Sequence, residues 1–186
     1  MKLLYTLGCA YVAACMVSLL SGIMTQAAGT VPFNRTPKGS SWFQNMKPYC
    51  NSVEIATHMA QAPPPANRDG AAYAAACYAL AGKIEEARAI IDELSPDDRV
   101  HAATIVFNIG HPVADAGDDR SAGPIMRLVV VYQPSNYMAL YHAGMSEHAV
   151  GEFDLARTHL KRFLEIYTND DGWRSNALVV LRQLEK

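Results

Sequence analysis

The densest group of potential ligand residues lies between His111 and Asp119. His111, Asp115, Asp118 and Asp119 occur within one short stretch, beside Pro112. An imidazole and several carboxylates on an irregular segment have the donor types that bind a divalent cation. The same acidic residues also suit a helix start, because negative charge is favourable near a helix N-terminus. We expect the helix start and no bound metal. A binding site for a metal or small ligand near His111 is the alternative.

The other histidines and the catalytic motifs give no second candidate. His142 and His148 are six residues apart and do not share one helix face. His58 follows Glu54 by four residues, a spacing that suits an exposed pair on one helix. The sequence contains no GxSxG, HExxH or glycine-rich phosphate loop. We therefore predict that the protein is not an enzyme and needs no cofactor.

Composition limits the class of protein and of partner. Lys plus Arg number 16 and Asp plus Glu number 18, a formal net charge of −2. No basic surplus is present to neutralise phosphates, so nucleic-acid binding is not expected. Apolar residues make up 50% of the chain, which excludes a disordered protein.

The first 27 residues resemble a targeting segment. Lys2 precedes an uncharged, largely apolar stretch to Met24, and small residues follow to Ala28. This order is typical of a secretory signal peptide. Two alternatives stay open: an uncleaved membrane anchor, and lipidation at Cys15 within a sequence similar to the bacterial lipobox. All three predict an exported protein of the periplasm or cell envelope, with membrane contact only through this segment.

Two cysteines remain after the targeting segment, Cys50 and Cys77. An even number fits an oxidising compartment, where paired thiols form disulfides. Their spacing is not that of a CxxC zinc motif.

A repeat organises the rest of the chain. Gly82, Gly117 and Gly151 are spaced by 35 and 34 residues. A small residue lies seven positions before each glycine, and an alanine lies five positions after it. These residues are Ala75, Gly110 and Gly144, and Ala87, Ala122 and Ala156.

This pattern resembles the tetratricopeptide repeat, a 34-residue helix–turn–helix unit. In the last unit the match reads Leu140-x2-Ala143-Gly144 and then Ala156-x3-Leu160. The resemblance implies an all-α fold, a right-handed α-solenoid with three repeats over residues 68–170. In such pairs the small residues lie where two helices approach closely, and the glycine ends the first helix in a left-handed conformation. Pro112 departs from the pattern, and we expect a kinked or shortened helix around His111–Ala116.

The segments flanking the repeats are predicted to differ from them. Residues 47–67 form a degenerate leading repeat with one helix from Pro48 to Ala62. Residues 28–46, with several prolines and glycines, are expected to be a flexible tether. Residues 171–186 form a capping helix from about Trp173 to Glu185, because its apolar residues recur at helical spacing.

The resemblance also implies a function and a binding surface. In this family the first helix of each pair lines a groove that binds peptides, so we expect an adaptor for a protein or peptide partner. The positions carried over to the groove are Phe107, His111, Asp115, Tyr141, Met145 and His148. The alternative is that Phe107, Tyr141 and Met145 only fill a tightly curled superhelix.

The resemblance further implies a disulfide between Cys50 and Cys77. Cys50 lies near the start of one predicted helix and Cys77 near the end of the next. Neighbouring helices in the repeat stack are antiparallel, which brings these two ends to the same level. The alternative is a pair of buried free thiols.

Overall fold

The structure, a computed structural model, describes residues 38–185. Every regular element in this range is helical, and no strand occurs in it. The helices are α1 (Gly39–Met46), a 3-10 helix (Lys47–Tyr49), α2 (Ile55–Gln61), α3 (Arg68–Leu80), α4 (Ile84–Asp92), α5 (Pro96–Asp115), α6 (Asp119–Tyr132), α7 (Tyr137–Val150), α8 (Phe153–Ile166) and α9 (Gly172–Leu184). The all-α class is therefore confirmed for this range. The targeting segment predicted for residues 1–27, including Cys15, lies outside it.

The helices from α3 onward pack in chain order. α3 packs on α4 and α5, α5 packs on α6, α6 on α7, and α7 on α8. α9 lies against α8 and α7, at the end of the series. Within residues 38–185 no helix combines the length and apolar character needed to cross a membrane.

The three repeat glycines end helices in the way that the sequence predicts. Gly82, Gly117 and Gly151 have φ angles of 74°, 77° and 87°, in the left-handed region. The residue after each glycine donates its amide to a carbonyl five positions earlier, as Glu152 does to Glu147. These bonds satisfy carbonyls that a helix end otherwise leaves unpaired.

Two further glycines lie where helices of one pair touch. A Cβ atom added at Gly144 would lie 2.6 Å from Cγ of Leu160, and one at Gly110 would lie 2.5 Å from Cγ2 of Ile125. Both positions are seven residues before a turn glycine. The prediction that small residues at this offset permit close helix contact is therefore confirmed at these two positions.

The end of the predicted tether is folded, which corrects that prediction. Residues 39–46 form α1 and bury Trp42, Phe43 and Met46. These apolar residues lie on one helix face and pack on α3, where Phe43 meets Tyr73 with ring centroids 5.3 Å apart. The Trp42 indole nitrogen donates to the Ala62 carbonyl at 2.9 Å. The burial of these side chains outweighs the turn-forming residues that precede them.

The single helix predicted from Pro48 to Ala62 is wrong, because the chain forms a short 3-10 helix and then α2. Asn51 lies at the break, and its side-chain oxygen accepts the amides of Val53 and Glu54 at 3.1 and 3.0 Å. An asparagine that bonds to nearby backbone offers the chain an alternative to helix.

Cys50 and Cys77 are joined in a disulfide, as predicted, with Cα atoms 4.9 Å apart. Cys50 follows the 3-10 helix and Cys77 lies near the end of α3. The bond therefore ties the N-terminal helices to α3. Both cysteines are buried in one cluster with Trp42, Phe43 and Met46.

Pro112 does not shorten its helix, so the shortened helix expected around His111–Ala116 is wrong. α5 continues through it to Asp115. Proline removes one backbone donor, and the carbonyl left without that partner belongs to Asn108. Asn108 is exposed, so water can satisfy its carbonyl at little cost.

Candidate functional site

The structure brings together two histidines and a carboxylate from two helices. α5 supplies His111 and Asp115, which are four residues apart and so share one face. α7 supplies His142. The Nε2 atoms of the two histidines are 2.9 Å apart, and Oδ1 of Asp115 is 3.6 Å from His111 Nε2 and 3.8 Å from His142 Nε2. We call these three residues the His–His–Asp cluster.

Aromatic rings hold the two imidazoles of the cluster. Phe107 lies one turn before His111 on α5 and stacks on it, with ring centroids 5.0 Å apart. Tyr141 and Trp173 each meet His142 edge to face, at 5.4 and 5.5 Å. Contacts on several sides restrict ring rotation, so both Nε2 atoms keep their direction.

α9 brings Trp173 to this position. Its first turn is capped by Asp171, whose carboxylate accepts the amides of Trp173 and Arg174. The Tyr167 hydroxyl also donates to this carboxylate and holds the pKa of Asp171 below its usual value. The Trp173 ring then packs on Tyr141 at 4.7 Å. α9, the last helix of the series, therefore lies beside the site.

Burial decides the charge state of His142. Its side chain is 11% exposed, against 23% for His111 and 55% for Asp115. Desolvation lowers the pKa of His142, and the neighbouring His111 lowers it further, while Asp115 and Asp119 oppose the shift. His142 is therefore neutral at neutral pH and retains a nitrogen lone pair.

The predicted groove residues fall into two groups. Phe107, His111, Asp115 and Tyr141 all lie in or beside the cluster. Met145 packs on the apolar core between α7, α8 and α9, and the Tyr141 ring also contacts this core, 5.2 Å from the ring of Phe163. His148 lies near the end of α7, with its ring 5.9 Å from that of Phe153.

The two other acidic residues considered as ligands have different roles. Asp118 caps α6 by accepting the Ser121 amide at 3.2 Å. Asp119 accepts the Ser146 hydroxyl at 2.9 Å. The sequence reasoning missed His142 as the third member of the cluster, because it compared His142 only with residues on its own helix.

A second charged cluster lies beside α7. The Glu147 carboxylate is 1% exposed and bonds to Nδ1 of His159 at 2.7 Å. Arg127 lies 3.6 Å from it and also pairs with Glu152. The cluster joins α6, α7 and α8, although Oε1 of Glu147 is buried and has no hydrogen-bond partner within residues 38–185.

Comparison with known proteins gives no match to a protein-family model, to a curated protein or to a solved structure. The likeness to the tetratricopeptide repeat therefore stays a resemblance in sequence pattern, and the function must be argued from the chain itself.

Proposed function

We propose that the chain is an α-solenoid of tetratricopeptide-like helix pairs that binds a protein or peptide partner. Three features support the solenoid. Helices α3 to α8 pack in chain order, glycines with positive φ end α3, α5 and α7, and a small residue recurs seven positions before each of these glycines. α9 would cap the series.

One observation carries the binding function: a row of ring contacts crosses α5, α7 and α9. From Phe107 the row passes to His111 at 5.0 Å, then to His142 at 4.7 Å, and then to Trp173 at 5.5 Å. Tyr141 lies beside the row. Aromatic side chains are enriched in the buried centres of protein interfaces.

The exposure of these rings favours binding over simple filling. Phe107, Tyr141 and Trp173 keep intermediate exposure after folding, whereas the Phe163 ring of the neighbouring core is fully buried. Large rings that remain partly in water lose more water when a partner covers them, which contributes to affinity.

We also propose that the protein works outside the cytoplasm, in the periplasm or cell envelope. The Cys50–Cys77 disulfide supports this location, because such bonds persist in oxidising compartments. Fractionation of the producing cells, with the protein detected in each fraction, tests it. Recovery of the protein in the cytoplasmic fraction alone would exclude export.

Site-specific photo-crosslinking in the producing cells tests the adaptor function. A crosslinking residue replaces Phe107 in the ring row. The control replaces Leu155, which is 42% exposed on α8. We expect a discrete protein adduct from position 107 and none of the same mass from position 155. Equal adducts at both positions, or none at position 107, would contradict a binding site at the row.

Variants then separate binding from folding. Phe107→Ala and Tyr141→Ala, each without a crosslinking residue, should weaken binding of the partner that crosslinking identifies more than they lower stability. Truncation of a fully buried ring typically costs about 3–5 kcal/mol, and a half-exposed ring should cost less. A loss of that full size in denaturant melts of both variants would show that the rings are core residues.

A further inference from the structure

The two nitrogen atoms and the oxygen atom of the His–His–Asp cluster lie close enough together to contact one ion. Each residue offers one ligand atom, and all three atoms lie within 4.8 Å of one another. The two histidines are 31 positions apart in the chain, on α5 and α7. The fold, rather than local sequence, creates this set.

The distances are close to those that a bound cation requires. Zinc forms bonds of about 2.0–2.2 Å to histidine nitrogen and carboxylate oxygen, so tetrahedral ligand atoms lie about 3.3–3.6 Å apart. The observed separations are 2.9, 3.6 and 3.8 Å. Side-chain movements of about half an ångström bring all three onto such a geometry.

The contacts between the three residues of the cluster do not use all the lone pairs of their two nitrogen atoms and the carboxylate. At 2.9 Å, one imidazole Nε2 donates to the other. Asp115 lies 3.6 and 3.8 Å from these nitrogens, beyond hydrogen-bond distance, so it bonds directly to neither of them. A cation between the three atoms would use both nitrogen lone pairs and the carboxylate charge together.

The ligand types select the class of metal. Imidazole nitrogen suits zinc and its transition-metal neighbours, whereas magnesium and calcium prefer ligand sets made of oxygen atoms. Three protein ligands leave at least one position for water or another small ligand. Asp115 is 55% exposed, so this position would open to solvent.

We propose that His111, Asp115 and His142 bind one divalent transition-metal ion of the zinc type. The rings of Phe107 and Trp173 orient the two imidazoles for this ion. Such a site needs only residues of this chain, and two of them, His111 and His142, also belong to the ring row that we propose binds a partner. It develops the ligand-binding alternative near His111.

Calorimetric titration of the full chain with Zn²⁺ tests the site. The protein is purified without a polyhistidine tag and treated with a chelator that is then removed. We expect one Zn²⁺ per chain, and no binding of Mg²⁺ under the same conditions. No Zn²⁺ binding, or equal binding of both ions, would overturn the proposal.

Substitutions locate the bound ion. Even residues that only support metal ligands are typically worth about 10- to 100-fold in affinity. His111→Ala should therefore weaken Zn²⁺ binding more than about 100-fold, and Asp115→Asn should also weaken it. The control His58→Ala should bind Zn²⁺ as the unaltered protein does. His58 lies on α2, where it stacks on Tyr49, and not on the helices that carry the cluster. Unchanged affinity and stoichiometry in both cluster variants would overturn the proposal.

Two spectroscopic measurements separate loss of the metal ligand from loss of folding. Asp115 is more than half exposed, so Asp115→Asn should retain the fold, which circular dichroism checks. Bound Co²⁺ reports its ligands through visible absorption bands, and these bands should change in Asp115→Asn and not in His58→Ala. Identical bands in the two variants would place the ion elsewhere. Crosslinking at position 107 with and without a chelator then shows whether partner binding needs the ion. The metal site and the partner-binding surface can therefore be refuted separately.

Discussion

Gly144→Ala is the sharpest test of the helix packing. An added Cβ would lie 2.6 and 2.8 Å from two side-chain carbons of Leu160 and 3.2 Å from its backbone nitrogen. Leu160 is fully buried, so its side chain cannot move away into solvent. Overpacking of a core typically costs about 1–3 kcal/mol, whereas alanine in a helix interior is about 0.5–1 kcal/mol better than glycine. We expect a net loss of about 1–2 kcal/mol.

Urea denaturation followed by far-ultraviolet circular dichroism measures this loss. Gly172→Ala is the matched control, because no atom lies within 4 Å of a Cβ added at this exposed helix start. The control should be unchanged in stability or up to about 1 kcal/mol more stable. If Gly144→Ala is as stable as Gly172→Ala, then α7 and α8 do not need a glycine at their contact.

Two other changes test the tertiary links. Reduction of the Cys50–Cys77 bond should lower the free energy of unfolding by about 3.5 kcal/mol, from the chain-entropy relation for a separation of 27 residues. Urea melts with and without reductant measure it, and an equal reductant effect in Cys77→Ala would refute it. Glu147→Ala should cost about 1–3 kcal/mol because it leaves Nδ1 of the partly buried His159 without its carboxylate partner. Glu152 is exposed, so Glu152→Ala should cost less than about 1 kcal/mol in the same assay. Similar losses in the two variants would mean that the burial of Glu147 does not make its contacts more stabilising.

The turns and close contacts could be predicted from the sequence because they depend on single residue types. Only glycine adopts a left-handed conformation without strain, so the spacing of Gly82, Gly117 and Gly151 is enough to identify three helix ends. Gly110 and Gly144 recur at a fixed distance from these ends and identify the contacts within pairs. The disulfide follows from the same order, since it depends on which helix ends are neighbours.

The N-terminal helices could not be predicted from the same reasoning. α1 has only eight residues, and its stability comes from burial of Trp42, Phe43 and Met46 on α3 rather than from its own sequence. The prolines and glycines before it favoured a tether. The break at Asn51 depends on a side chain that bonds to backbone, and helical periodicity does not detect it.

The two histidines of the His–His–Asp cluster can be recognised as neighbours only when their positions are counted from the turn glycines. His111 lies six residues before its turn glycine, and His142 lies nine residues before the next one. Residues at these two offsets meet between α5 and α7, although they are 31 positions apart. The equivalent residues one repeat earlier are Ala76 and Asn108, which offer no imidazole. The His–His–Asp cluster therefore depends on two imidazoles that the earlier positions lack, and each histidine becomes informative only beside the other.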